Sequence, residues 1–79
     1  MAHLVTVYTR SDCSLCAEAI AQVEAIAAET GAGWLTIDVD DDLDDRAEYG
    51  DRVPVILVDG VEHGYFRVEP ERLRRALNG

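Results

Sequence analysis

Residues 7–16 read V-Y-T-R-S-D-C-S-L-C, and the reading of this stretch decides the fold. It contains both cysteines of the chain, Cys13 and Cys16, at C-x-x-C spacing. Residues 3–8 (H-L-V-T-V-Y) are β-branched, aromatic and almost continuously apolar, which predicts a strand covered on both faces. Residues 9–12 form a polar turn. From Ser14 the period becomes helical: Cys16, Ile20, Val23 and Ala27 share one face, with Leu15, Ala19 and Ile26 beside them. Gly31 is the expected stop. The two thiols therefore sit where a strand hands over to a helix.

Working outward, residues 34–39 (W-L-T-I-D-V) alternate, with Leu35, Ile37 and Val39 on one side, and predict a second strand. Strand, helix and strand make a βαβ unit, whose right-handed crossover joins parallel strands. Residues 38–45 (D-V-D-D-D-L-D-D) carry six aspartates but lack the Gly and terminal Glu of an EF-hand loop. They read as a solvated loop whose later aspartates open a short helix ending near Tyr49 and Gly50, where the dipole favours negative charge.

Residues 55–58 (V-I-L-V), then Asp59 and Gly60, then residues 61–66 read as an antiparallel hairpin with a tight turn. Pro70 suits the first position of a last helix, with Leu73, Ala76 and Leu77 inward and Arg72, Arg74 and Arg75 outward. The order β-α-β-(α)-β-β-α resembles the plan of a thioredoxin-like α/β fold. That plan is one domain over residues 1–79, with a four-stranded mixed sheet flanked by helices.

Seventy-nine residues lie near the low end for a chain folding on one hydrophobic core. Seven arginines and no lysine stand against 16 acidic residues, a net charge of −9. Such a chain repels phosphate backbones and anionic lipid, so neither nucleic acid nor membrane is an expected partner, and a monomer is expected. No apolar run approaches the roughly 18 residues of a membrane span. A strand beginning at His3 leaves no room for a secretory leader, so the expected location is the cytoplasm. In that reducing compartment the cysteines read as catalytic thiols or metal ligands rather than a structural bridge.

The first turn of a helix presents unpaired N–H groups and a positive dipole end, both of which stabilise a thiolate. Placement there lowers a thiol pKa from about 8.5 into the range of roughly 3.5–7.5. Cys13 is then the exposed nucleophile and Cys16, on the apolar face, the sheltered resolving thiol. Asp12 beside it either opposes the thiolate by its charge or caps the helix. A zinc or iron–sulfur module is the alternative use of C-x-x-C, but His3 and His63 stand at no ligand spacing and read as surface or edge residues. A partner-docking domain with silent thiols is the third reading. Pro54 opens what reads as a central strand, which a cis Val53–Pro54 bond explains. Val53 would then offer its backbone N–H and C=O to an extended peptide.

V-Y-T-R-x-x-C-S-L-C, R-V-P-V-I-L-V-D-G and the closing E-R-L-R-R-A-L together resemble the glutaredoxin-like proteins of the thioredoxin superfamily, in their short bacterial C-x-L-C branch. The resemblance covers nearly the whole chain. It implies a thiol–disulfide oxidoreductase with no resident cofactor, acting on disulfide-containing proteins. Cys13 is then the nucleophile, Cys16 the resolving thiol, Pro54 the cis-proline facing them, and Arg10 a charge near the thiolate and a glutathione carboxylate. Glutaredoxins proper carry a Gly-Gly-x-x-Asp-like stretch after the fourth strand that holds glutathione. Here the chain reads H-G-Y-F-R-V-E-P, with Tyr65 and Phe66 either core aromatics or rings that obstruct the tripeptide. A thioredoxin-reductase-type flavoprotein is the alternative electron donor to glutathione.

Overall fold

Alternation in the first strand sets the layers. In the computed structural model, which describes residues 3–78, β1 (Leu4–Thr9) sends Val5 and Val7 to one side, both fully enclosed. Leu4, Thr6 and Tyr8 face the other side. The chain then passes through α1 (Ser14–Thr30) and returns as β2 (Gly33–Asp38), parallel to β1, with Leu4 opposite Gly33 and Thr9 opposite Asp38. Gly31 ends α1 in the left-handed region (φ 78°) and donates its N–H to the Ala27 carbonyl.

A single 3-10 turn, Val39–Asp41, leads into α2 (Leu43–Tyr49), β3 (Val55–Val58), β4 (Val61–Tyr65) and α3 (Pro70–Leu77). The sheet order is β2-β1-β3-β4, with β3 antiparallel to both its neighbours. Asp59 (φ 53°) and Gly60 (φ 84°) form the hairpin turn, both in the left-handed region that a two-residue type I′ loop requires. The Asp59 carboxylate accepts the Leu4 N–H at 2.9 Å and pairs with His3. Those hydrogen bonds, His3 first, hold its pKa below the ordinary aspartate value.

Val5, Val7 and Ile56 of the sheet meet Ala19, Val23 and Ile26 of α1 and Leu73 and Leu77 of α3. The opposite face carries α2, where Tyr49 stacks on Tyr8 with ring centroids 4.2 Å apart. Among the described residues no helix is long and apolar enough to cross a membrane.

Four local expectations are corrected. The second strand ends at Asp38 rather than 39, because the Asp38 carboxylate accepts the Asp40 N–H at 2.9 Å and turns the chain. Val39 thereby drops into the interior, with no exposure. Within β2 it is Trp34, level with Val5, that packs against the α1/α3 core, while Leu35 is 39 % exposed. Leu15, expected beside the buried face of α1, is 48 % exposed.

The fourth correction concerns β4, which ends at Tyr65 and contains a bulge. Pairing slips between Ile56 and Leu57, so His63 has no partner residue in β3. Its carbonyl instead accepts a hydrogen bond from Arg72 Nη1 at 2.6 Å, while its Nε2 is enclosed and unbonded among the described residues. Burial, and then the Arg72 charge, lower the His63 pKa below its ordinary value, with Glu69 acting the other way.

A histidine with a lowered folded pKa takes up its proton more readily in the unfolded chain, so stability falls as pH drops through the ordinary histidine value. Urea midpoints between about pH 7 and pH 5 are therefore expected to decline less steeply in His63→Gln than in the parent. Leu73, fully enclosed between α3 and the sheet, sets the scale of the core. Leu73→Ala is expected to cost about 2–5 kcal/mol in the same unfolding measurement. Leu43→Ala, at a side chain 76 % exposed, stays within about 0.5 kcal/mol of the parent.

Candidate active site

The two cysteines occupy the junction of β1 and α1. Cys13 is the N-cap residue of α1, with extended backbone (φ −104°, ψ 108°), and its Sγ accepts the Cys16 backbone N–H at 3.2 Å. Sulfur here does what a serine or aspartate oxygen usually does at a helix start. Asp12 is exposed and one residue too early to cap, so the helix is capped by the Cys13 sulfur itself. No acidic side chain occupies the first turn of α1, so the carboxylate acting against the dipole at the sulfur is the exposed, non-capping Asp12 just before it. Cys13 is half-buried, while Cys16 is 3 % exposed and faces the interior. Their Cα atoms are 5.4 Å apart and the two sulfurs lie near disulfide distance. Among the described residues, no three His, Cys, Asp or Glu side chains gather as a metal-ligand set.

Register brings Pro54 to the same end of the sheet. Tyr8 of β1 lies opposite Val55 of β3, so the residue before Val55 stands level with the chain leaving β1 toward Cys13. The Val53–Pro54 peptide is cis and Pro54 is buried. Its carbonyl accepts the Phe66 N–H at 2.9 Å, whereas no backbone hydrogen bond joins Val53 to another described residue. Phe66 is in the left-handed region (φ 70°), which for a bulky residue costs about 1–2 kcal/mol. Tyr65 and Phe66 are 49 % and 47 % exposed and meet edge to face at 5.0 Å, so neither is a core aromatic. Phe66 faces Leu15, the second of the two residues between the cysteines, across a groove of about 360 Å³ also lined by Glu18, Ala19, Gln22, Arg67 and Val68.

Arg10 lies on the other side of the junction. Its guanidinium donates to the Asp40 carboxylate at 3.3 Å and to the Gly50 carbonyl at 3.4 Å, and neither sulfur is among its partners. Arg46 reaches the same Asp40 at 3.5 Å. Beneath them, burial and then the Asp45 charge, Tyr49 and Asp42 push the Tyr8 phenol above its ordinary pKa. Arg52 lies 5.9 Å from the centroids of both Tyr49 and Tyr65, joining α2 to β4.

A sequence-family comparison gives this arrangement its context. The family described as "Glutaredoxin-like domain (DUF836)" matches residues 4–78. The chain belongs to this family. An uncharacterized protein of Mycobacterium tuberculosis is 41 % identical over 75 residues, spanning 89 % of this chain and 77 % of that protein. Among solved structures, protein XcR50 from X. campestris is 34 % identical, with a TM-score of 0.67 over 94 % of this chain and 95 % of that one. Protein Ne2328 from Nitrosomonas europaea (24 % identity, 98 % and 93 % covered) aligns with a TM-score of 0.84. Fasciola hepatica thioredoxin (24 % identity, 98 % and 79 % covered) aligns at 0.63. The last two likenesses are likenesses of fold, and that fold is thioredoxin-like.

A glutaredoxin-like fold with a closely paired Cys13 and Cys16 supports a role of redox type. The sulfur at the helix tip is the more accessible, and the sulfur one turn inside is sheltered. Sequence reasoning singled out the cysteines and Pro54, and named Phe66 as one of two rings that are either core or obstructing, but it did not place Leu15 on a groove wall opposite Phe66. Leucine between the cysteines was the available signal, and helical periodicity alone assigned it to the interior.

The N-cap geometry is open to measurement. In reducing buffer, Cys13→Ser keeps an acceptor for the Cys16 amide, whereas Cys13→Ala leaves that amide without one. Cys13→Ala is expected to be less stable than Cys13→Ser by about 0.5–2 kcal/mol in chemical unfolding.

Proposed function

We propose that this protein is a small cytoplasmic dithiol oxidoreductase that reduces protein disulfides or mixed disulfides. The observation that carries this reading is the contrast at the α1 N-terminus. Cys13 Sγ is half-buried and hydrogen-bonded by an amide, while Cys16 lies enclosed 5.4 Å away between Cα atoms. An amide donor and a helix dipole favour the anionic over the protonated form of sulfur.

The chemistry conserves two electrons throughout. The Cys13 thiolate attacks one sulfur of the substrate disulfide, forms a mixed disulfide and expels the other substrate sulfur as thiolate. Cys16, losing its proton, then attacks Cys13 Sγ and expels the first substrate sulfur. The substrate leaves as two thiols after protonation, and the protein keeps the Cys13–Cys16 disulfide. A donor of two electrons and two protons restores the dithiol. Glutathione or a thioredoxin-reductase-type flavoprotein would serve, and the exposed Phe66 ring beside Pro54 favours the flavoprotein by narrowing room for a tripeptide. Val53, whose backbone bonds to no other described residue, and Pro54 would align the substrate chain, with Arg10 at the rim.

Trapping tests the assigned roles. With a disulfide-linked peptide, Cys16→Ser is expected to accumulate a covalent adduct by intact mass, because nothing resolves the mixed disulfide. Cys13→Ser is expected to form none. Equal adducts in the two variants, or an adduct in Cys13→Ser alone, would reverse or remove the assignment.

A further inference from the structure

The chain's basic side chains are seven arginines, and the fold divides them. Arg10, Arg46, Arg52 and Arg74 each lie within 3.5 Å of a carboxylate oxygen. Arg67, Arg72 and Arg75 have no carboxylate partner among the described residues, and all three line one open groove of about 620 Å³ at the start of α3. In a chain with 16 carboxylates this is a selective gathering of unneutralised cations. Two carboxylates share the rim. Glu71 is bonded to Arg74 at 3.1 Å, which leaves Glu69 as the local counter-charge.

This groove is continuous with the one beside the cysteines, since Arg67 and Val68 line both. Together they form a track. It begins at Leu15, between Cys13 and Cys16, crosses the exposed Phe66 ring, and ends among the three arginines. A ligand lying along it meets Leu15 and Phe66 next to the reactive sulfur, with Glu18 and Gln22 on the same wall, so that carboxylates are disfavoured there and favoured only farther on, among the arginines. A polyanion such as nucleic acid fits the arginines but not the rest, because the loop of residues 38–45, with six aspartates, follows β2 at the same end of the sheet as Cys13.

We propose that this track docks an acidic segment of the protein disulfide partner: an apolar residue beside its reactive cysteine, then carboxylates a few residues beyond. This inference rests on the dithiol reading above for its chemistry, though not for the docking itself. The arginine groove orients the partner, and the aspartate-rich loop repels the same charge at the wrong end, so approach is polarised.

The test uses the full chain, pre-reduced, and two disulfide-linked peptide dimers, Cys-Leu-Gly-Glu-Glu-Glu and its Gln-Gln-Gln counterpart. Each exchange rate is normalised to that with dithiothreitol. The acidic peptide is expected to react about tenfold faster at low salt, with the advantage shrinking toward one at about 0.5 M salt. The ratio should vanish in Arg67→Gln/Arg75→Gln and persist in Arg46→Gln/Arg52→Gln, which loses the same charge outside the track and frees no carboxylate that lines it. Fluorescence anisotropy with the cysteine of each peptide replaced by serine reads docking apart from chemistry. Acidic preference in anisotropy without exchange of either peptide sinks the dithiol reading and keeps the docking. Equal binding of the two peptides at low salt, or a preference that survives in the groove variant, overturns the docking. So does a concentration-dependent dimer that dissociates in the groove variant, which would assign the track to a second copy of the chain.

Discussion

The hydrogen bond from the Cys16 amide to the Cys13 sulfur joins scaffold to chemistry. It exists because β1 ends at Thr9 and α1 begins at Ser14, with Cys13 at the one position whose side chain can reach the first free amides. That junction is held by the βαβ unit behind it. Val5 and Val7 fix β1 against Val23 and Ile26, so the helix start cannot shift without opening the core. A chain of this size has little stability in reserve, and the placement of a single sulfur thus depends on nearly all of it.

The distribution of charge is the second organising element. Aspartates collect where β2 gives way to α2, and two of them, Asp38 and Asp42, act as caps for the backbone amides that follow. Arg10 and Arg46 converge on Asp40 and partly neutralise this end. The arginines without a carboxylate partner among the described residues lie instead along α3 and the segment before it. The molecule is therefore polar in the electrostatic sense, although its net charge of −9 conceals this.

Much of this was legible in the residues, for identifiable reasons. Helical period located α1 and α3, and the Asp59 and Gly60 pair located the hairpin because its turn demands residues tolerant of positive φ. A proline opening an interior strand signalled the cis bond. What was not legible depended on neighbours. Which face of β2 is inner follows from its register with Val5, not from the apolarity of Leu35 and Ile37. The end of β2 was set by the Asp38 side chain, a local hydrogen bond that apolar alternation does not encode. Arg10 carried an expectation drawn from its place before Cys13, and the nearby Asp40 and Gly50 claim its guanidinium. The groove between Leu15 and Phe66 joins residues about fifty positions apart, beyond the reach of any periodicity.

The bulge at His63 bears on how copies of this protein behave at high concentration. An outermost strand with a regular row of free amides and carbonyls is a template for intermolecular sheet growth. β4 is such a strand, but its ladder is interrupted at His63, whose carbonyl Arg72 has already claimed. An incoming chain would find a broken register and a guanidinium across its path. The bulge that encloses His63 Nε2 thereby also denies this flank of the sheet the unbroken row of amides and carbonyls that edge-to-edge pairing needs.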